Sequence, residues 1–293
     1  MVSRRKLILK SLERIEDIPT ISAVYNEIVS AIDSDADVEK IGKLAKQDLA
    51  LSVKVLKIVN SPVYRSLGRQ ITDVEEGVIR LGIMEFKKIV LSLSVVETFG
   101  KLGSRIDYQK FWRHSLTSAF LTVKAFSHLM GKQLGKRVSG ELFTASILHD
   151  IGVIILDHYF PDYYSKVLDL APNIASKRLI DLEQEALEIT HEEVGLIVAE
   201  RWNLPEHARA AIRYHHSIKD YQGKYEPIVR MVKIANEICI MQGFGNAVIG
   251  SEVTGKVDEA ARDKLKEKSE LYGKILSEFK DDLDKSEVIL SII

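Results

Sequence analysis

The stretch Leu148-His149-Asp150-Ile151-Gly152 gives the strongest signal for the fold, because it places an imidazole and a carboxylate side by side in apolar sequence. We expect it to lie in a helix that runs from about Ser139 to Leu156, where adjacent side chains project about a third of a turn apart. Both side chains could then reach one ion between helices, and the carboxylate could bridge a second. Gly152 leaves room for close approach of a neighbouring helix.

Other histidines occur where they could share that ion. Thr190 and Glu193 form a capping-box pattern, which predicts that His191 lies in the first turn of a helix. His215 and His216 end the helix that Pro205 begins. Histidine nitrogen and carboxylate oxygen together suit iron, manganese or zinc. The full set of candidate ligands, for one or two divalent ions, is His114, His149, Asp150, His191, His215 and His216.

On residue types alone, a metal site and a group of buried structural histidines are both open interpretations. The remaining histidines are interpreted as structural, because most isolated histidines have a satisfied hydrogen bond or lie at the surface; they are His128, His158 and His207.

The composition indicates a globular protein of one large or two smaller domains. The 293 residues are 46% hydrophobic and 28% charged, with a net charge of −1. This charge argues against a nucleic-acid partner bound through bulk positive charge. The single cysteine, Cys239, cannot form a disulfide within the chain, so we expect a reducing compartment and a cytoplasmic location. No apolar run is expected to span a membrane, and the apolar run at the N-terminus is too short for a secretory signal.

Nearly every periodic segment predicts a helix, so we expect an all-α, two-lobed protein. An N-terminal helical bundle lobe is predicted over residues 1–103, and a second helical lobe over 104–293. From about Gly250, charged sequence with helically spaced apolar residues predicts one or two C-terminal amphipathic helices. Asn60-Ser61-Pro62-Val63-Tyr64 is predicted to stop a helix, and it is alternatively a contact surface between lobes or with a partner.

The sequence resembles the HDOD proteins, a branch of the HD superfamily associated with bacterial signalling. The resemblance covers most of the chain and implies an HD-like second lobe and a role in signal transduction. It rests on Asp48, Leu51, Lys54, Leu56, the segment 60–64, Leu81-Gly82, the segments 111–115 and 148–152, Glu183, the segments 191–195 and 202–205, and His215-His216.

The related HD-GYP phosphodiesterases hydrolyse cyclic di-GMP with a similar ligand set, and the six candidate ligands fall on their metal-binding positions. Three differences stand out. Val153 occupies the position of a lysine near the phosphate, and Asn236 that of a final aspartate ligand. No Gly-Tyr-Pro loop follows His216. These differences remove a phosphate clamp and an anionic ligand, on which metal-assisted cleavage depends.

Two functions follow as hypotheses. The first, which we favour, is a non-catalytic signalling module that binds a partner protein or a small ligand, with iron as the preferred ion if a metal is held. The second is a metal-dependent phosphohydrolase that acts on a nucleotide or a cyclic dinucleotide. Neither a nucleic acid nor a membrane is an expected partner. Self-association, the identity of the signalling partner and the presence of enzymatic activity stay open.

Overall fold

The computed structural model describes residues 3–15, 19, 22–65, 69–100, 105–130, 134–170, 178–245, 248 and 269–293. Over these residues the chain forms helices and no strand, which confirms the predicted all-α class. The helices are α1 (Arg4–Leu12), α2 (Ala23–Asp33), α3 (Val38–Lys46), α4 (Leu49–Val59), α5 (Val74–Leu81), α6 (Ile83–Phe99), α7 (Tyr108–Met130), α8 (Lys136–Ile147), α9 (Ile151–Tyr159), α10 (Pro161–Leu170), α11 (Leu179–Leu187), α12 (His191–Arg201), α13 (Glu206–Tyr214), a short 3-10 helix (Ile218–Asp220), α14 (Glu226–Met241) and α15 (Ser269–Leu290).

The chain forms two compact units, each built from separate stretches of sequence. The larger unit contains Met1–Ile18, Leu102–Gln133 and Glu141–Glu278, and the smaller unit contains Pro19–Lys101, Leu134–Gly140 and Phe279–Ile293. The division into domains at residues 103 and 104 stays a prediction, because a compact unit is not by itself an independently folding domain. The beginning of the predicted C-terminal helical region, 249–268, lies outside the described residues.

In the smaller unit, short helices begin at aspartate caps. The side chains of Asp37, Asp48 and Asp73 accept hydrogen bonds from backbone N–H groups in the first turns of α3, α4 and α5. Such caps satisfy N–H groups that the helix itself leaves without a partner. Gly82 separates α5 from α6 with a φ of 79°, which favours glycine.

Asn60 follows α4 and holds the segment before α5. Its side-chain amide donates to the carbonyl oxygens of Leu56 and Ile71 and accepts from the Ile71 N–H, each at 2.8 Å. Tyr64 donates to Glu85 on α6. Asn60 and Tyr64, two residues of the motif at 60–64, therefore have structural roles in the smaller unit.

In the larger unit, helices α7, α9, α12, α13 and α14 surround the predicted site. Helix α12 packs on α9 and α13, while α14 packs on α7. A Cβ atom on Gly152 would overlap the His191 carbonyl oxygen, and one on Gly195 would lie 2.7 Å from Ile212 Cγ2. Gly152 thus lets α9 approach α12 closely, as expected, and Gly195 leaves room on α12 for Ile212 of α13.

The expectation that His149 and Asp150 lie within one continuous helix is wrong. Helix α8 ends at Ile147, residues 148–150 form a turn, and α9 begins at Ile151. Here the backbone N–H groups of His149, Ile151 and Val153 bond three residues back, to Ser146, Leu148 and Asp150. These shorter-range bonds tighten the chain and interrupt the α-helical pattern.

The apolar stretch Arg137–Tyr159 comes closer to a membrane span than the sequence suggested. It is long enough, and its mean hydropathy reaches 1.4 over an 18-residue window. However, 83% of that window is buried inside the protein. Such an apolar segment is typical of core helices.

Candidate metal centre

The six predicted ligands come together around the carboxylate of Asp150. They form two groups that share this residue, and the ligand atoms within each group lie within 4.8 Å of one another. We call His114, His149 and Asp150 the three-residue site, and Asp150, His191, His215 and His216 the four-residue site. Their role as metal ligands stays a prediction, whereas their convergence is a property of the fold.

The two oxygens of Asp150 face different histidines. Oδ2 lies 3.7 Å from His114 Nε2 and 3.3 Å from His149 Nε2. Oδ1 lies 3.4 Å from His191 Nε2 and 3.3 Å from His215 Nε2. A carboxylate placed in this way can bridge two cations, one on each oxygen.

Each of these four imidazoles is oriented through its other nitrogen. Nδ1 lies 2.7 Å from the Phe244 carbonyl in His114, 2.6 Å from the Ser146 carbonyl in His149 and 3.0 Å from the Ala211 carbonyl in His215. In His191, Nδ1 lies 2.6 Å from Glu183 Oε2. Because these oxygens only accept, they fix the proton on Nδ1 and turn Nε2 toward Asp150. Metal-binding histidines are supported in this way.

The donor set fits a divalent cation. The Nε2 atoms of His114 and His149 lie 3.4 Å apart, and those of His191 and His215 lie 3.3 Å apart. With protons on Nδ1, these Nε2 lone pairs face each other at short range, and a cation between them would remove the repulsion. Nitrogen donors with one shared carboxylate match iron, manganese or zinc.

The site is buried, except at His216. His114, His149, Asp150, His191 and His215 are at most 1% exposed, whereas His216 is half-buried. The His216 ring packs on the rings of His191 and His215, with centroids 5.2 and 4.2 Å away. Solvent therefore reaches these ligands most directly on the His216 side.

Burial and neighbouring charges give His114 and Asp150 different protonation states. Burial, together with neighbouring His149, lowers the pKa of His114 to about 4. Burial opposes ionisation of Asp150, but the His149, His215 and His191 imidazoles hold its pKa well below the usual range. His114 is thus neutral, and Asp150 ionised, at neutral pH.

His191 behaves differently. Burial lowers its pKa, but Glu183 and Asp150 outweigh that effect and raise the pKa to about 9. Without a metal, His191 therefore carries protons on both nitrogens at neutral pH. A metal ion must displace the Nε2 proton to bind there.

Two buried glutamates beside the four-residue site were not among the predicted site residues. Glu183 accepts from both the backbone N–H and the ring of His191. Glu192 accepts from the His216 backbone N–H at 2.7 Å and from the Ser217 hydroxyl at 3.0 Å. A sequence signal existed for Glu192, since it directly follows a candidate ligand at a helix start.

The two positions that differ from the phosphodiesterase pattern are also buried. Val153 on α9 is 0% exposed and Asn236 on α14 is 2% exposed. An apolar side chain at 153 supplies no positive charge for a phosphate. An amide at 236 is a neutral group where a carboxylate would add charge to a metal.

Comparison with known proteins supports the interpretation of the fold. A family model described as "HDOD domain" matches residues 18–218. A Treponema pallidum (strain Nichols) protein, named only "Uncharacterized protein", is 27% identical over 237 residues. The match covers 79% of this chain but 44% of that relative, so the chain spans less than half of its length.

Solved structures show the same arrangement of helices. An HDOD domain protein of unknown function from Geobacter sulfurreducens has a TM-score of 0.79 at 23% identity, with 98% of both chains covered. A "Putative signal transduction protein" from Marinobacter aquaeolei VT8 has a TM-score of 0.72 at 19% identity, covering 98% of this chain and 65% of that one. A "Putative metal-dependent phosphohydrolase" from Shewanella amazonensis SB2B has a TM-score of 0.61 at 17% identity, with 100% and 99% covered. At these identities, the likeness shows the fold.

Proposed function

Since the chain belongs to the HDOD domain family, we propose that it is a non-catalytic signal-transduction module whose buried centre holds one or two divalent metal ions. Iron is the preferred ion, with manganese and zinc as alternatives. The observation that carries this proposal is the geometry around Asp150. Four imidazoles have Nδ1 fixed by protein acceptors and Nε2 directed at its two oxygens.

The bound metal would supply positive charge among buried lone pairs and a carboxylate, and so hold four segments of the chain together. His114 comes from α7, the His149–Asp150 pair from the turn before α9, His191 from α12, and His215 and His216 from the end of α13. Because these segments are far apart in sequence, a shared ion stabilises their packing directly. The module would then present a defined surface to a signalling partner or a small ligand in the cytoplasm.

The chain lacks side chains that phosphodiester cleavage requires. A transferred or cleaved phosphate needs neutralising groups placed at its oxygens. At the matching positions this chain has the methyl groups of Val153 and the amide of Asn236, both buried. These residues favour binding over hydrolysis.

Elemental analysis and anomalous scattering on protein prepared without oxygen test the proposal. We expect bound metal, with anomalous density beside Asp150 in the region between His149 and His215 where the three-residue and four-residue sites meet. We also expect no hydrolysis of cyclic di-GMP above the level of Asp150→Ala after addition of Fe²⁺, Mn²⁺ or Zn²⁺. Protein that stays metal-free when these ions are supplied contradicts the metal site. Turnover that disappears in Asp150→Ala contradicts the non-catalytic role.

The second candidate function is a metal-dependent phosphohydrolase. It is favoured by the bridging geometry of Asp150, which would suit two-metal hydrolysis. The description of the Shewanella amazonensis structure points the same way. The hydrolysis assay above decides between the two functions, because both require metal and only the second requires turnover.

A further inference from the structure

The two halves of the metal centre differ in the charge of the groups that support their histidines. In the three-residue site, His114 and His149 bond to neutral carbonyl oxygens of Phe244 and Ser146. In the four-residue site, His191 bonds to a carboxylate, Glu183. A carboxylate makes the imidazole a stronger electron-pair donor than a carbonyl does.

Glu183 is held in place from three sides. Its Oε2 accepts from the His191 backbone N–H at 2.8 Å and from Nδ1 at 2.6 Å, and its Oε1 accepts from the Tyr164 hydroxyl at 3.2 Å. The side chain is 0% exposed. These three hydrogen bonds fix the position of the side chain. Glu183 therefore places a carboxylate directly behind His191.

Glu192 adds a second buried carboxylate on the same side. It is 1% exposed, and its Oε1 lies 3.7 Å from His215 Nδ1. The same side chain accepts from the His216 backbone and from Ser217, and Arg213 donates to it at 3.4 Å. It thus fixes the backbone of the segment that carries two of the four ligands.

From this asymmetry, we propose that the centre loads in order. The four-residue site binds the first divalent ion tightly, and the three-residue site binds a second ion more weakly. Glu183 and Glu192 are the positioning residues that set the difference. The inference rests on the proposed metal-holding function and adds a form of regulation to it. The fraction of chains with an occupied three-residue site would rise and fall with the metal concentration.

Titration of the metal-free chain with Co²⁺ tests the order. Calorimetry and the visible absorption of the bound ion measure each binding step. We expect two binding steps, with the first at least about 10-fold tighter than the second. His114→Ala should remove the second step and leave the first. Two ions of equal affinity overturn the order, and so does loss of the first step in His114→Ala.

Glu183→Gln tests the source of the difference. This variant keeps the size of the side chain and removes its charge, so the first step should weaken about 10- to 100-fold, as is typical for an outer-shell partner. The second step should change much less. Glu185→Gln, an exposed change of the same charge on the same helix, is the matched control and should leave both steps unchanged.

Glu192→Gln provides an independent variant, since Glu183→Gln could reduce folding of the buried core. Circular dichroism verifies that each variant is folded, and Glu192→Gln should weaken the first step selectively. Equal weakening of both steps in both variants overturns the role of the glutamates. Failure of wild-type protein to bind Co²⁺, Fe²⁺, Mn²⁺ or Zn²⁺ overturns the metal-holding function itself, whereas two equivalent ions overturn only the loading order.

Discussion

Gly152 on α9 lies directly against the carbonyl oxygen of His191 on α12, and a Cβ atom at position 152 would overlap that oxygen. The contact brings the helix that follows Asp150 against the first turn of the helix that begins with His191. The spacing of the two halves of the metal centre therefore depends on the absence of a side chain at one position.

Gly152→Ala should destabilise the protein by about 3 kcal/mol or more, at or above the upper end of the usual cost of overpacking, because the obstacle is backbone. Urea-induced unfolding followed by circular dichroism measures the change. Gly273→Ala is the control, because the glycine is exposed on α15 and its Cβ would meet nothing within 4 Å. There alanine should be neutral or stabilising by about 0.5–1 kcal/mol. Equal effects of the two substitutions would contradict the close helix contact.

Asp150→Asn should reduce metal binding in both halves of the centre, because each oxygen of Asp150 faces two histidines. The substitution keeps the shape and removes the charge of the shared ligand. We expect the affinity of each step to fall by more than the 10- to 100-fold typical of outer-shell changes. Metal content per chain, measured after dialysis against a defined metal buffer, gives the result.

The control for Asp150→Asn is His128→Gln. His128 pairs with Glu278 at 3.1 Å, outside the metal centre. This variant should bind as much metal as the wild type. If Asp150→Asn lowers the affinity of one step only, the carboxylate does not bridge two sites.

Glu85→Gln should show a stability cost that depends on pH. In the smaller unit, Glu85 pairs with Lys88 and Lys285, each at 3.1 Å, and is 17% exposed. Burial opposes its ionisation, but the two lysines outweigh burial and hold the pKa of Glu85 below its ordinary value. Ionised Glu85 thus stabilises the fold above the pKa of the unfolded chain, and this contribution disappears as the pH falls through the folded-state pKa.

Urea unfolding of metal-free protein at a series of pH values measures this effect. Near pH 7, Glu85→Gln should cost about 1.5–3 kcal/mol, the range for hydrogen bonds to charged groups. The gap to the wild type should narrow as the solution is made more acidic than the ordinary glutamate pKa. Glu39→Gln, which breaks the exposed pair with Lys43, should show no measurable cost at any pH. A gap for Glu85→Gln that is constant with pH would rule out the electrostatic explanation.

Asn60→Ala should destabilise the smaller unit by about 3 kcal/mol, since three hydrogen bonds at about 1 kcal/mol each are lost. The midpoint of thermal unfolding measures the loss. Val63→Ala in the same motif changes an exposed side chain and should stay within about 0.5 kcal/mol. A large effect of Val63→Ala on stability, with none from Asn60→Ala, would reverse the assignment of the motif.

Local sequence was sufficient to predict much of the fold. The spacing of apolar residues identified helices, and Thr190 with Glu193 placed His191 at a helix start, where α12 begins. His215 was expected at the end of a helix and caps α13. These features depend on hydrogen bonds and side-chain periodicity within a few residues, so the sequence encodes them directly.

The turn at His149 and Asp150 could not be found in this way. The apolar pattern of 139–156 is that of one helix, and the interruption is visible only in the backbone bonds to residues three positions back. Likewise, the N-terminal segment Met1–Ile18 belongs to the larger unit, which is built mainly from the second half of the chain. The C-terminal segment Phe279–Ile293 belongs to the smaller unit, which is built mainly from the first half. Which distant segments pack together depends on the whole core and not on local pattern.

The sequence by itself determined the helical class and the six residues that could bind a metal. Only the tertiary structure decided that Asp150 lies between two groups of histidines, one oxygen toward each, and that Glu183 stands behind His191. The physical reason is that ligand chemistry belongs to each residue, whereas distances between α7, α9, α12 and α13 depend on close packing, including the contact of Gly152 with His191.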